Sequence, residues 1–201
     1  MYIARILYPV RVLGPGDRIG IWFNGCDHRC SGCSNPELWT PQERYNITQD
    51  TLLKLIGQVC KTRPVDGFTL TGGDPFKQPE ALRQLLPALN EITNDILVYT
   101  GYDYDWVNDQ YPDIVSQIGV LIDGPYIEQR NTGLPLRGSD NQTIRVLQPQ
   151  LLSKYQPYLQ SAKNEIQNFT TADGVVSVGI HKPGYSAQID ALLRQKGLEN
   201  T

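Results

Sequence analysis

Apolar residues follow two rhythms along this chain. Short dense runs of aliphatic and aromatic residues, closed by glycine, proline or asparagine, read as strands. They are "YIARILYPV" (2–10), "RIGIWFNG" (18–25), "DGFTLTGG" (66–73), "DILVYTGY" (95–102) and "GVLIDGP" (119–125), with "QTIRVL" (142–147) as a further strand. Between them the apolar spacing changes to three and four. Leu52, Leu53, Leu55, Ile56, Val59 and Cys60 recur on one face of residues 48–62, and Thr48 stands where an N-cap belongs. Residues 78–92 repeat the helical pattern despite the interior Pro87, and residues 113–119 form a shorter piece. Residues 26–46 keep neither period and read as a long functional loop.

Strand and helix thus alternate as β-α-β-α-β, which predicts a mainly parallel sheet with crossover helices. In such sheets ligands gather at the carboxyl ends of the strands. Three polar turns stand there: "TGGDP" (71–75), "YTGY" (99–102) and "IDGP" (122–125). Beyond Leu147 the pattern changes. Residues 149–166 read as helix, 174–180 as a short strand and 184–198 as a final helix. The expected organisation is one domain over residues 1–147 and a small α/β extension over 148–201.

Composition narrows the function. The 201 residues are 40% hydrophobic and 19% charged, with a net charge of -3 and no basic run, which argues against a nucleic-acid-binding face. A partner protein or a small ligand fits better. The N-terminal apolar run is too short and too punctuated for a signal peptide or a membrane helix, so the expected location is the cytoplasm. Cysteines stay reduced there, and a tight cluster of them points to metal, catalysis or redox chemistry rather than to disulfides.

Three of the four cysteines, Cys26, Cys30 and Cys33, fall in "GCDHRCSGCSNPELW" (25–39) with spacing C-x3-C-x2-C. Three readings compete. One helix face would hold all three, but Gly25, Gly32 and Pro36 oppose a helix. Structural zinc needs four protein ligands, and the remaining candidates are His28, between the first two cysteines, and Cys60 on a predicted helix. An iron–sulfur cluster held by three thiolates would leave one iron free for an external ligand, a defect in an electron carrier and an asset in an enzyme.

The C-x3-C-x2-C spacing followed by "TGGDP" resembles the radical S-adenosylmethionine superfamily. Within it, the chain is most similar to the activases of anaerobic ribonucleotide reductase. The stretches that carry the resemblance, in the family's order, are "GPGDR" (14–18), the cysteine stretch, "TGGDPF" (71–76), "YTGY", "VLIDGPYI" (120–127) and "LRGSDNQTI" (136–144); they cover about residues 8–147. Each is weak alone, and together they are specific.

The resemblance implies that Cys26, Cys30 and Cys33 bind three irons of a [4Fe–4S] cluster, with S-adenosyl-L-methionine on the fourth. It implies an incomplete (β/α) barrel open on one side. It also implies a radical enzyme that abstracts a glycine hydrogen in anaerobic ribonucleotide reductase or another glycyl-radical enzyme, with a flavodoxin or ferredoxin-type electron donor. Expected ligand contacts are Gly72, Gly73, Asp74 and Pro75, then Thr100, Asp123 and Arg137. Each has a plainer reading as a turn, cap or solvated-loop residue. Arg18 is expected near the cluster, and His28 as an exposed or backbone-bonded histidine. His181 is assigned no role, and Cys60 is read as a small buried hydrophobe. The family's compact members end near "NQTI", so residues 149–201 would cover the open side, mediate association or mark a different substrate. A non-catalytic metal module is the competitor from another functional class.

Overall fold

Six strands join one sheet in the order in which the chain delivers them. In the computed structural model, which describes residues 1–171 and 174–195, β1 (Ile3–Val10) pairs antiparallel with β2 (Arg18–Phe23). Then β3 (Gly67–Gly72), β4 (Ile96–Tyr99) and β5 (Val120–Asp123) follow in parallel. The last strand, β6 (Thr143–Val146), is antiparallel to β5. The sheet is therefore mostly parallel, as expected, but open: β1 and β6 are its two edges and do not pair. Only residues 11–17 link β1 to β2. That link is too short for a crossover, so the pair must be a hairpin.

Strand alternation divides the sheet's residues between two faces. Ile19, Ile21, Phe23, Phe68, Leu70, Ile96, Val98 and Leu121 pack into the larger core. Over it lie α1 (Gln49–Thr62), α2 (Pro79–Asn90), α3 (Tyr104–Gln110) and α4 (Pro112–Val115). Thr48 caps α1, its Oγ1 accepting from Thr51 N at 3.2 Å. Pro87 sits inside α2 without ending it, because Leu82, Leu85, Leu86 and Leu89 are all buried against the sheet. The sequence pattern missed α3, which buries a single residue, Val107, and so carries no amphipathic signal.

The opposite face is covered by the chain beyond β6. The helix α5 (Leu152–Ser161) buries Tyr155, which packs with Leu97, Val120 and Ile122. The predicted helix over 149–166 ends early. Past Ser161 the chain turns into β7 (Ile166–Thr171), which pairs antiparallel with β8 (Gly174–Gly179). Val178 of this hairpin packs against Val10, Leu13, Trp22 and Leu38. The final helix, α6, runs Tyr185–Gln195; positions 196–198 of the expected helix lie outside the described residues.

One buried ion network ties α5 to the sheet. Arg18 is fully buried, its Nη1 3.0 Å from Asp95 Oδ1, with Nε donating to Thr69 Oγ1 at 2.8 Å. Asp95 also accepts from Tyr155 OH at 2.7 Å and pairs with Lys154 at 2.6 Å. These bonds offset the cost of removing the charges from water. They also correct the expectation for Arg18. It begins β2, whereas the cysteine loop leaves the strand's other end. Among the described residues, no helix is long and apolar enough to cross a membrane.

Candidate metal centre

The cysteine loop begins where β2 ends, and its base is laced shut. Gly25 N donates to Leu38 O at 2.8 Å and Cys26 N to Trp39 O at 2.9 Å. Buried Asn24 adds Nδ2 donation to the carbonyls of Leu38 and Thr40, both at 3.2 Å, while its Oδ1 accepts from Gln42 N at 2.7 Å. Within the loop Cys33 N donates to Cys30 O at 3.2 Å, a turn rather than a helix. The helix-face reading of the three cysteines therefore fails.

Cys26, Cys30 and Cys33 are partly buried free thiols on the wall of one cavity of about 190 Å³. Gly72, Gly73 and Asp74, at the end of β3, and Thr100 and Gly101, just past β4, line the same cavity. Three other expected contacts do not line it. Pro75 is buried at the start of a 3-10 turn. Asp123 is buried at the end of β5, accepting from Tyr104 N at 3.2 Å and pairing with Arg145 at 2.8 Å. Arg137 donates to Gln142 O at 3.2 Å within its own loop, and it is the neighbouring Gly138 and Gln142 that reach the cavity.

The two glycines are required by the cysteine loop itself. Gly73 N donates to Phe23 O at 2.7 Å and Asp74 N to Gly25 O at 2.9 Å. A Cβ on Gly73 would stand 2.3 Å from Gly25 O, and one on Gly72, at φ +104°, 2.6 Å from Phe23 O. Any side chain there would push the turn off the loop.

Asp74 is the hub of the site. Its Oδ1 accepts from Phe76 N at 2.9 Å and its Oδ2 from Gly101 N at 2.8 Å. The Thr100 hydroxyl lies 3.1 and 3.0 Å from the two oxygens. His28 Nε2 is 2.9 Å from Oδ2, and the His28 ring meets Tyr102 edge-on at 4.4 Å. This bond raises the His28 pKa against the burial that lowers it. Sequence reasoning placed His28 in solvent or on backbone, because its partner lies 46 positions away. Instead it fastens the cysteine loop to the β3 and β4 turns.

Burial raises the Cys26 thiol to about 11, against the backbone N–H groups of His28 and Arg29, and raises Cys30 against that of Tyr126. Metal binding there must displace protons. Among the described residues, no group of three or more His, Cys, Asp or Glu side chains forms a site for a single metal ion. Cys60 packs with the helix-covered core and is absent from the cavity wall, and His28 is committed to Asp74. The zinc reading thus lacks its remaining ligands. A cluster fits, since each thiolate then takes a different iron.

Sequence reasoning missed one stretch of wall. Ser177, Val178, Gly179, Ile180 and His181, from β8 and the residues after it, line the cavity together with the cysteines and the β3 and β4 turns. No local pattern marks them; packing alone brings them there.

Comparison with known proteins agrees with the site. A family described as "4Fe-4S single cluster domain" matches residues 12–145. A Vibrio cholerae protein, the anaerobic ribonucleoside-triphosphate reductase-activating protein, is 36% identical over 145 residues, covering 68% of this chain and 93% of the relative. Its namesake in Escherichia coli K12 is 33% identical over 148 residues, covering 70% and 96%. That of phage T4 is 31% identical over 144 residues, covering 69% and 90%. The chain belongs to the 4Fe-4S single cluster domain family and, within it, to the anaerobic ribonucleoside-triphosphate reductase-activating proteins.

Proposed function

We propose that the protein is a radical S-adenosylmethionine activase that abstracts a glycine hydrogen in anaerobic ribonucleotide reductase. The observation that carries this reading is the convergence of Cys26, Cys30 and Cys33 with the Gly72–Gly73–Asp74 turn on one cavity, in a chain of this family. Cys26, Cys30 and Cys33 would hold a [4Fe–4S] cluster, which would supply, once reduced, the electron for cleaving the sulfonium C–S bond of S-adenosylmethionine.

The chain's own residues hold and orient. The three thiolates each hold one iron. Backbone carbonyls of the Gly72–Gly73 turn serve as acceptors for the ligand's ammonium group. Asp74 acts by keeping this turn, Thr100, Gly101 and His28 in register, because both its oxygens already accept hydrogen bonds from protein. Thr100 likewise positions: it donates to Asp74 and accepts from Tyr102 N at 3.2 Å. Asp123 and Arg137 act one step away, Asp123 beneath the β5 turn and Arg137 by ordering the loop that brings Tyr126, Gly138 and Gln142 to the cavity. Read as an incomplete barrel, the open sheet leaves a side through which the reductase's glycine loop reaches the cavity. A flavodoxin or ferredoxin-type protein is the proposed electron source, and the cytoplasm the proposed location.

The test is anaerobic reconstitution with iron and sulfide, then reduction with S-adenosylmethionine and the reductase. Release of 5′-deoxyadenosine and a glycyl doublet in electron paramagnetic resonance are expected; a loaded, reduced protein releasing none would sink the reading. Cys30→Ala should lose both colour and cleavage. A second reading, a radical enzyme with a different glycyl-radical enzyme, peptide or small molecule as hydrogen donor, is favoured by residues 177–181 on the cavity wall. It predicts 5′-deoxyadenosine without a doublet on the reductase.

A further inference from the structure

The family match stops at residue 145, and the relatives are 90–96% used up by spans covering 68–70% of this chain. The extension beyond β6 is thus extra material of a size those relatives have no room for. It folds back onto the sheet face that carries the site.

Its hairpin is tethered at three places. Gln167 of β7 reaches the end of β1, its Nε2 donating to Pro9 O at 2.6 Å and its Oε1 accepting from Arg11 N at 3.0 Å. Val178 of β8 is 3% exposed and packs with Trp22 and Leu38, at the base of the cysteine loop. Beyond β8, Asn131 Nδ2 donates to His181 O at 2.7 Å, joining the hairpin's exit to the loop between β5 and β6. The hairpin therefore spans from one edge of the sheet to the β5–β6 loop, whose Tyr126 and Asn131 also line the cavity. Ser177, Val178, Gly179, Ile180 and His181 form the wall between these tethers. His181 ends that wall, stacked on Tyr185 with ring centroids 4.4 Å apart and planes 3° apart.

We infer that the C-terminal hairpin is a built-in outer wall of the cluster cavity, shielding the cluster from water and oxygen and narrowing access to it. This rests on the cluster reading above. The wall is mostly apolar, with Val178 and Ile180 between Ser177 and His181, as water exclusion requires. Its tethers are side-chain contacts to backbone and core, not to the cysteines. The Gln167 tether reaches only the backbone of Pro9 and Arg11, so loosening it leaves the cluster's ligands in place and changes only what reaches them.

The test compares cluster-loaded full-length proteins. Val178→Asp places a charge in the contact with Trp22 and Leu38. Gln167→Ala removes the β1 tether with little risk to folding. Val175→Asp, on the same strand but 68% exposed, is the control. Hydrogen exchange across residues 166–181 reports docking, and the bleaching of cluster absorbance in air reports shielding. For Val178→Asp both should accelerate by about tenfold or more, the change in open population that about 1.4 kcal/mol of lost docking gives. Gln167→Ala should shift both in the same direction and Val175→Asp neither. Faster exchange with unchanged bleaching, in either tether variant, overturns the wall alone. A wild-type protein that takes up no cluster overturns the functional reading and the wall with it.

Discussion

At the scale of single residues, Asp74 shows how an acidic side chain at a ligand cavity can serve the protein rather than the ligand. It is 2% exposed and takes hydrogen bonds from two backbone amides, a hydroxyl and an imidazole. Asp74→Ala would strand these donors, so a loss of about 3 kcal/mol in urea unfolding of the iron-free protein is expected. A stability change under about 0.5 kcal/mol, within the ordinary range for a surface position, would place Asp74 outside this hub. "TGGDP" marked the position in the sequence, but its role was not legible. The partners His28 and Thr100 lie 46 and 26 positions away and meet only when β3 and β4 pair.

At the scale of elements, α5 shows a helix held by a polar anchor as much as by its apolar stripe. Tyr155 is its one fully buried contact, and Tyr155 OH and Lys154 Nζ both reach Asp95. Asp95 in turn neutralises the fully buried Arg18. Asp95→Ala should therefore cost about 3–5 kcal/mol, because it leaves a guanidinium buried without its counter-charge. Tyr155→Phe should cost only about 1 kcal/mol, one hydrogen bond with the ring retained. Denaturant unfolding of both variants checks the ordering, and equal losses would break it. The helical period predicted α1 and α2, whose apolar stripes face the core. It missed α3, ran α5 on to Ile166 and missed β7, because these depend on tertiary partners more than on pattern.

At the scale of the whole molecule, the sheet divides structure from chemistry. The helix-covered face holds the larger core, assembled without the cysteine loop. The other face holds the cavity, closed by segments distant in sequence. Iron removal should thus leave the far-ultraviolet circular dichroism of the loaded protein unchanged, while amides of residues 26–46 exchange faster. A chain that loses its sheet on chelation, as small metal-dependent domains do, would show that this core does not stand alone.

By itself the sequence determined the strands, the main crossover helices, the mostly parallel sheet and the cysteine loop that an iron–sulfur domain needs. Those signals are local: period two, period three to four, and thiols spaced within one loop. It also set Cys60 apart from the cysteine loop, on an amphipathic helix. Only the tertiary structure decided the antiparallel edges, the bond between His28 and Asp74, the remoteness of Arg18 and the wall from residues 177–181. Each of these depends on contacts between residues far apart in the chain. Such contacts leave no periodic trace, because side chains that meet across a sheet need only fit each other.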